Sequence, residues 1–218
     1  VASSGNSGEG SSGSPGNVYD SIAVGASNSN QGIADFSSGE VVNTDSAWSS
    51  APAYWPDQYT VPTISAPGVG TLSSVPGGGY DDTFSGTSMA APHVSGAVAL
   101  ALSASDANVT PAMIEQALEF TAFKPSGAPA PAGERDTRYG SGIIDANALV
   151  EYLEDPPEGE MLTYTVSTAD TGDSQSGEVF VENASDDPEG EANFTVANAD
   201  SNSPLAEGSI IGTAVGYA

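Results

Sequence analysis

The sequence predicts an α/β domain followed by a small β-rich C-terminal module. Three observations carry that expectation. Short runs of small and apolar residues, at 17–27 and 63–68, lie between turn signals, as buried strands do. From Thr87 to Leu102 the apolar and small positions run almost all the way round a helix, the pattern of a buried helix. At "EDPPEGE" helical patterning gives way to short β-prone runs separated by acidic loops.

The elements follow in order. "NVYDSIAVGAS" (17–27) reads as a buried strand, and residues 37–60, rich in Ser, Ala, Pro and aromatics, as a long surface insertion. "TISAPG" (63–68) is a short strand ending in a Pro-Gly turn, and "PGGGY" (76–80) a flexible loop. In the helix that follows, Pro92 lies near the first turn, where a missing N–H costs least. A second helix starts with Thr110 as N-cap and Pro111 at the first helical position. Its Ile114, Ala117, Leu118 and Thr121 share one face. "YGSGIIDANALVEYL" (139–153) reads as a glycine turn, a short strand and a closing helix. Pro156 and Pro157 end that helix and set the division into 1–155 and 156–218. Beyond them, "MLTYTVST", "GEVFVEN", "ANFTVAN" and "SIIGTAVGY" suit a small sandwich-like module. Four runs fall short of the roughly seven strands of a full sandwich.

Acidic residues outnumber basic ones 29 to 3, a formal charge of −26. Such a field repels nucleic acid and anionic membrane surfaces, so neither is an expected partner. Apolar runs such as "GAVALALS" argue against a disordered acidic chain. The charge fits a hydrated surface in concentrated salt, where a Debye length of ~3 Å screens carboxylate repulsion. With no cysteine, disulfides and thiolate metal sites are excluded. No stretch reaches the ~18 consecutive apolar residues of a membrane helix, and no signal peptide is visible. The chain opens at Val1 inside what reads as a working segment, so further sequence is expected upstream.

The chemistry concentrates in "GTSMAAPHVSG" (86–96). A serine at the mouth of a long buried helix is held rigidly, and its N–H is one of the unpaired donors of the first turn. With the helix dipole, that N–H can stabilise an oxyanion, as nucleophilic acyl transfer requires. His93, the only histidine, lies five residues beyond Ser88. Five helical residues amount to ~7.5 Å of rise and ~140° of rotation, whereas a base must lie within ~3.2 Å of the hydroxyl. His93 is therefore read as a packing residue.

This segment resembles the serine motif of the subtilases, the subtilisin-like serine proteases, at Gly86, Thr87, Ser88, Met89, Ala90, Pro92 and His93. The resemblance implies a parallel sheet flanked by helices, Ser88 as nucleophile and His93 as structural. "VASSGNSG" resembles the family segment that ends in the oxyanion-hole asparagine, which assigns that role to Asn6. Ser3, Ser4 and Gly5 would then line one wall of the pocket for the residue before the scissile bond. "SIAVGAS", "ADFSSGE", "ISAPGVG", "NVTPAMIEQAL" and "YGSGIIDANAL" extend the likeness to about residue 153.

Subtilases order their triad Asp, His, Ser along the chain. The Asp and His segments precede the oxyanion asparagine, so the base is expected from an upstream half of the same domain. Residues 1–218 alone are expected to be inactive. Residues 40–60, with Trp48, Tyr54, Trp55 and Tyr59, are read as an insertion whose aromatics pack rather than bind substrate. No cofactor is required for the chemistry. Many subtilases hold structural Ca²⁺ near this region. Gly16 and Val18 match the carbonyl donors, but Thr63 stands where the carboxylate is expected. Asp81, Asp82 and the loop at 170–178 offer other oxygen ligands, yet adjacent carboxylates usually form a solvated face. No calcium position is assigned.

The resemblance implies a secreted endopeptidase acting on proteins or peptides. An open pocket wall favours bulky apolar side chains, and the acidic surface favours basic substrates. Sequons at Asn108, Asn183 and Asn193 are compatible with secretion. The alternative is a non-catalytic subtilase-fold scaffold or surface protein whose β-module binds a partner. An Asp motif and a His motif upstream would favour the enzyme.

Overall fold

The computed structural model describes residues 1–105, 109–154, 159–167 and 174–182. The chain divides into two compact units, Val1–Pro156 and Pro157–Ala218. Pro156, Pro157, the asparagines of the three sequons and the runs at 192–198 and 209–217 lie outside the described residues.

The first unit opens with β1 (Ala2–Ser3) and β2 (Ala23–Ser27). An antiparallel excursion follows, made of β3 (Glu40–Asn43), the short α1 (Thr44–Ala47) and β4 (Gln58–Val61). Next come β5 (Ile64–Pro67), the hairpin strands β6 (Thr71–Val75) and β7 (Gly79–Phe84), and α2 (Thr87–Ala104). Helices α3 (Pro111–Thr121) and α4 (Ala146–Glu154) close the unit. In the second unit β8 (Gly159–Ser167) pairs antiparallel with β9 (Ser174–Glu182), which accounts for the first two of the four expected β runs.

Strands β1, β2 and β5 form a parallel sheet in the order β1-β2-β5, with Ala2 opposite Ala23 and Val24 opposite Ile64. Every residue of β2 is buried, which is why it reads as an unbroken run of small and apolar residues. The short strand expected after Tyr139 is a bridge: Ile143 joins Ser65 on one side and Phe123 on the other. The strand expected over 17–27 is regular only from Ala23, and residues 17–22 turn.

Helix α2 lies against β2, β5 and α4. Ala90, Val94, Ala97 and Ala101 recur every three or four residues along its buried face, packed in one core with Val24, Ile64, Leu118, Leu149 and Leu153. Alanines there let helix and sheet approach closely. The helix is not covered on every side, however. Leu100 is 63% exposed and Leu102 42%. The periodicity had predicted full burial, but apolar spacing records what a face can bury and not whether a partner is present. Helix α3 starts as expected, with the Thr110 hydroxyl accepting from the Met113 N–H at 3.3 Å.

The insertion is more regular than a surface loop. Val42, Tyr59 and Val61 of the β3–β4 hairpin are buried with Ala23. Trp48 and Trp55 meet edge to face at 5.6 Å, and the Trp48 indole N–H donates to the Tyr59 hydroxyl at 2.9 Å. Tyr54 and Trp55 both donate to Asp20, at 2.7 and 3.1 Å. These aromatics pack on one another and on the loop at 17–20. The "PGGGY" stretch is the turn of the β6–β7 hairpin and the start of β7, with Gly77 and Gly78 at positive φ.

One buried ion pair fixes the connection between α3 and α4. Lys124 Nζ lies 2.7 Å from Asp136 Oδ2, with side chains 2% and 8% exposed. The ammonium also donates to the carbonyls of Glu134 and Gly140, so all three of its protons have acceptors. Burial raises the Asp136 pKa. The Lys124 bond and charge, with the Tyr139 and Arg138 N–H groups, outweigh it and hold the carboxyl below its ordinary value. Replacing Asp136 with Asn strands a buried cation. Chemical denaturation should show a loss of about 3–5 kcal/mol. Because the folded pKa is depressed, the pair's contribution is complete above the unfolded aspartate value of ~3.9. It is lost as pH falls through the lower folded value, so the variant's unfolding should be less acid-dependent than wild type.

Candidate active site

Ser88 is the second residue of α2 and is exposed. Two first-turn N–H groups, of Met89 and Ala90, point back to the Gly86 carbonyl at 3.0 and 3.4 Å. The Ser88 N–H has no acceptor among the described residues, and the residue is exposed. Pro92 cannot donate to the Ser88 carbonyl, which leaves that end of the helix short of one intrahelical bond.

Asn6 reaches the start of α2 from the end of β1. It follows β1 by three residues, and its side-chain oxygen accepts from the Thr87 N–H at 2.9 Å and the Thr87 hydroxyl at 3.0 Å. A backbone N–H needs an oxygen acceptor, so this contact settles which way the amide faces. The NH₂ is turned away from Thr87, free to donate. A Cβ placed on Gly86 would lie 3.5 Å from Asn6 Nδ2 and 3.6 Å from Met89 Sδ. The space beside the amide donor is thus open because residue 86 has no side chain.

Thr87 is the joint. It is fully buried, and its hydroxyl also contacts the Gly5 carbonyl at 3.2 Å and the Gly5 N–H at 3.3 Å. Gly5 itself has φ +118°, a backbone conformation that suits glycine.

The other residues singled out by sequence separate. Ser3 lies in β1, half-buried, opposite Val24. Ser4 does not offer its side chain to a pocket: it is fully buried and its hydroxyl donates to the Ser38 carbonyl at 2.9 Å. His93 is exposed rather than packed, and its Nδ1 is 2.8 Å from the Met89 carbonyl oxygen. It lines an open groove of about 520 Å³ with Asn28, Val69 and Leu72, to which neither Ser88 nor Asn6 contributes. The ring is therefore no partner for Ser88.

Among the described residues no group of three or more His, Asp or Glu comes together as a metal site would. Thr63, at the position where a carboxylate was sought, is buried, and its hydroxyl accepts from the Ala23 N–H at 3.1 Å. Thr63 thus brings an uncharged, already bonded oxygen to the position where the resemblance implied a carboxylate. Asp81 is committed locally, accepting from the Thr83 N–H and hydroxyl at 2.8 and 2.7 Å, which holds its carboxyl below the usual range. Among the described residues no helix is long and apolar enough to cross a membrane.

The Subtilase family model matches residues 1–146. The chain belongs to the subtilase family. This subtilase is 37% identical over 148 residues to Bacillopeptidase F of Bacillus subtilis and 35% identical over 149 residues to Subtilisin Savinase of Lederbergia lenta. Each alignment covers 68% of this chain, but 9% and 44% of those relatives respectively. Among solved structures, Patellamide maturation protease PatA superposes with a TM-score of 0.52 at 28% identity, covering 71% of this chain and 50% of PatA. The Clostridium perfringens CspB protease gives 0.54 at 30% identity, covering 67% and 30%. The parallel sheet with flanking helices is the subtilase α/β fold, and the serine motif sits within the matched region.

Proposed function

We propose that this chain carries the nucleophile and oxyanion hole of a secreted serine endopeptidase that hydrolyses proteins or peptides. The observation that supports it best is the Asn6–Thr87 contact, which holds Asn6 at the residue next to the exposed Ser88 with its NH₂ turned away from Thr87. In this mechanism Ser88 Oγ attacks the peptide carbonyl carbon while a histidine takes its proton. The Ser88 N–H and Asn6 NH₂ hold the resulting oxyanion. Collapse expels the amine, which takes that proton from the histidine. Water then attacks the acyl-enzyme, giving its proton back through the histidine, and the acid leaves as Ser88 recovers its hydrogen.

The histidine and its aspartate come from polypeptide outside residues 1–218, since His93 is the only histidine in the chain and is engaged elsewhere. The uncovered face of α2 around Leu100 gives that polypeptide a place to pack. Ser3 and Gly5 line the pocket through their backbone, with Ser4 contributing its main chain alone. An activity-based fluorophosphonate tests the reading. Full-length protein in high salt should be labelled at Ser88. Folded full-length material that stays unlabelled would favour the scaffold.

The acidic surface suits concentrated salt. Raising KCl from ~0.1 M to ~3 M shrinks the Debye length several-fold and weakens repulsion among 29 carboxylates. The thermal midpoint followed by circular dichroism should rise over that range. A midpoint that falls would refute the salt adaptation.

A further inference from the structure

The segment that presents Asn6 has little regular structure of its own, because β1 ends at Ser3. What holds it is Ser38, which is 1% exposed. The Ser38 carbonyl accepts from the Ser4 hydroxyl at 2.9 Å, and its N–H donates to the Gly5 carbonyl at 3.0 Å. The Ser38 hydroxyl accepts from the Ser7 N–H at 2.9 Å. One residue thus grips the chain immediately before and after Asn6. A Cβ on Gly5 would come within 2.9 Å of that hydroxyl, so the grip leaves no slack.

Ser38 is held in turn. Arg138 donates one guanidinium nitrogen to the Ser37 carbonyl and the other to the Ala34 carbonyl, both at 3.1 Å. Beside this contact the two backbones nearly touch, for a Cβ on Gly39 would lie 1.8 Å from the Thr137 carbonyl oxygen. Arg138 is one of three cations among 29 carboxylates, yet among the described residues its guanidinium forms no salt bridge. Its rigid fork spans two carbonyls of one loop, a geometry that a lysine ammonium does not reproduce.

We propose that Ser38 and Arg138 are positioning residues for the oxyanion donor. Arg138 fixes the loop at 34–38, Ser38 fixes residues 4–7, and the Asn6 amide is thereby aimed beside Ser88. This rests on the protease reading and deepens it. The oxyanion forms only on the way to the tetrahedral intermediate. Misplacing its donor therefore lowers kcat and leaves KM nearly unchanged.

The test is a double-mutant cycle in the full-length protease at high salt. Ser38→Ala, Arg138→Gln and Arg138→Lys are each made alone and together with Asn6→Ala. A displacement of ~1 Å can cost ~10²-fold in rate, so Arg138→Gln alone should lower kcat about 10–100-fold, with KM within about twofold. On the Asn6→Ala background the same change should cost less than about threefold, because the donor it positions is gone. Arg138→Lys should recover only a small part of the loss. Ser38→Ala deletes a single oxygen and serves if the arginine variants do not fold. Equal losses with and without Asn6, or a loss of melting temperature with kcat intact, would overturn the proposal. A wild-type enzyme that neither turns over nor labels at Ser88 defeats the protease reading itself, and this inference with it.

Discussion

Replacing Ser88 with Ala should reduce turnover on the order of 10⁶-fold, the scale seen when a subtilisin loses its nucleophile. Ser88 is exposed at the start of α2, and its N–H has no acceptor among the described residues. Alanine is a better helix former than serine and removes no buried contact. The variant should thus keep the wild-type melting temperature while losing fluorophosphonate labelling. The measurement is kcat on a chromogenic peptide with full-length protein. Residual activity within tenfold of wild type would place the nucleophile elsewhere.

The second large effect is expected at Asn6. Asn6→Ala should lower kcat by ~10²–10³-fold, about 2.7–4 kcal/mol of transition-state stabilisation, with little change in KM. The magnitude is that of the corresponding asparagine in subtilisin. The side-chain oxygen also bonds Thr87, so the change leaves a buried Thr87 hydroxyl with Gly5 as its other contact. A modest loss of stability should accompany the kinetic loss. Asn6→Asp separates the two roles: its carboxylate keeps the acceptor for Thr87 but offers no donor to the oxyanion. It should therefore be folded and as slow as the alanine variant. An aspartate variant with wild-type kcat would remove Asn6 from the oxyanion hole.

What was readable in the sequence was local. Ser88 stood out because seven letters of its motif lie within eight residues, and the helix they open needs only its own spacing to be recognised. Thr110 and Pro111 announced α3 in the same way. Asn6 was legible only by its order before that motif, since Gly-Asn alone means a turn. The grip of Ser38 on Ser4 joins residues 34 apart, and that of Arg138 on Ser37 joins residues 101 apart. No periodicity encodes contacts of that range. The β6–β7 hairpin is not legible because both its faces are largely exposed, so it lacks the alternation that marks a half-buried strand. His93 was expected inside for the opposite reason: a helix apolar all round reads as covered whether or not its cover is there.

The bond between Asn6 and Thr87 spans 81 residues of chain. Closing so long a loop carries an entropic cost, which is offset once the sheet and α2 bring its two ends together. A partly unfolded molecule can therefore carry Ser88 while Asn6 is not yet held against Thr87. On the protease reading, hydrolytic power would wait on the tertiary structure, a safety catch for a molecule whose own unfolded copies would be its nearest prey.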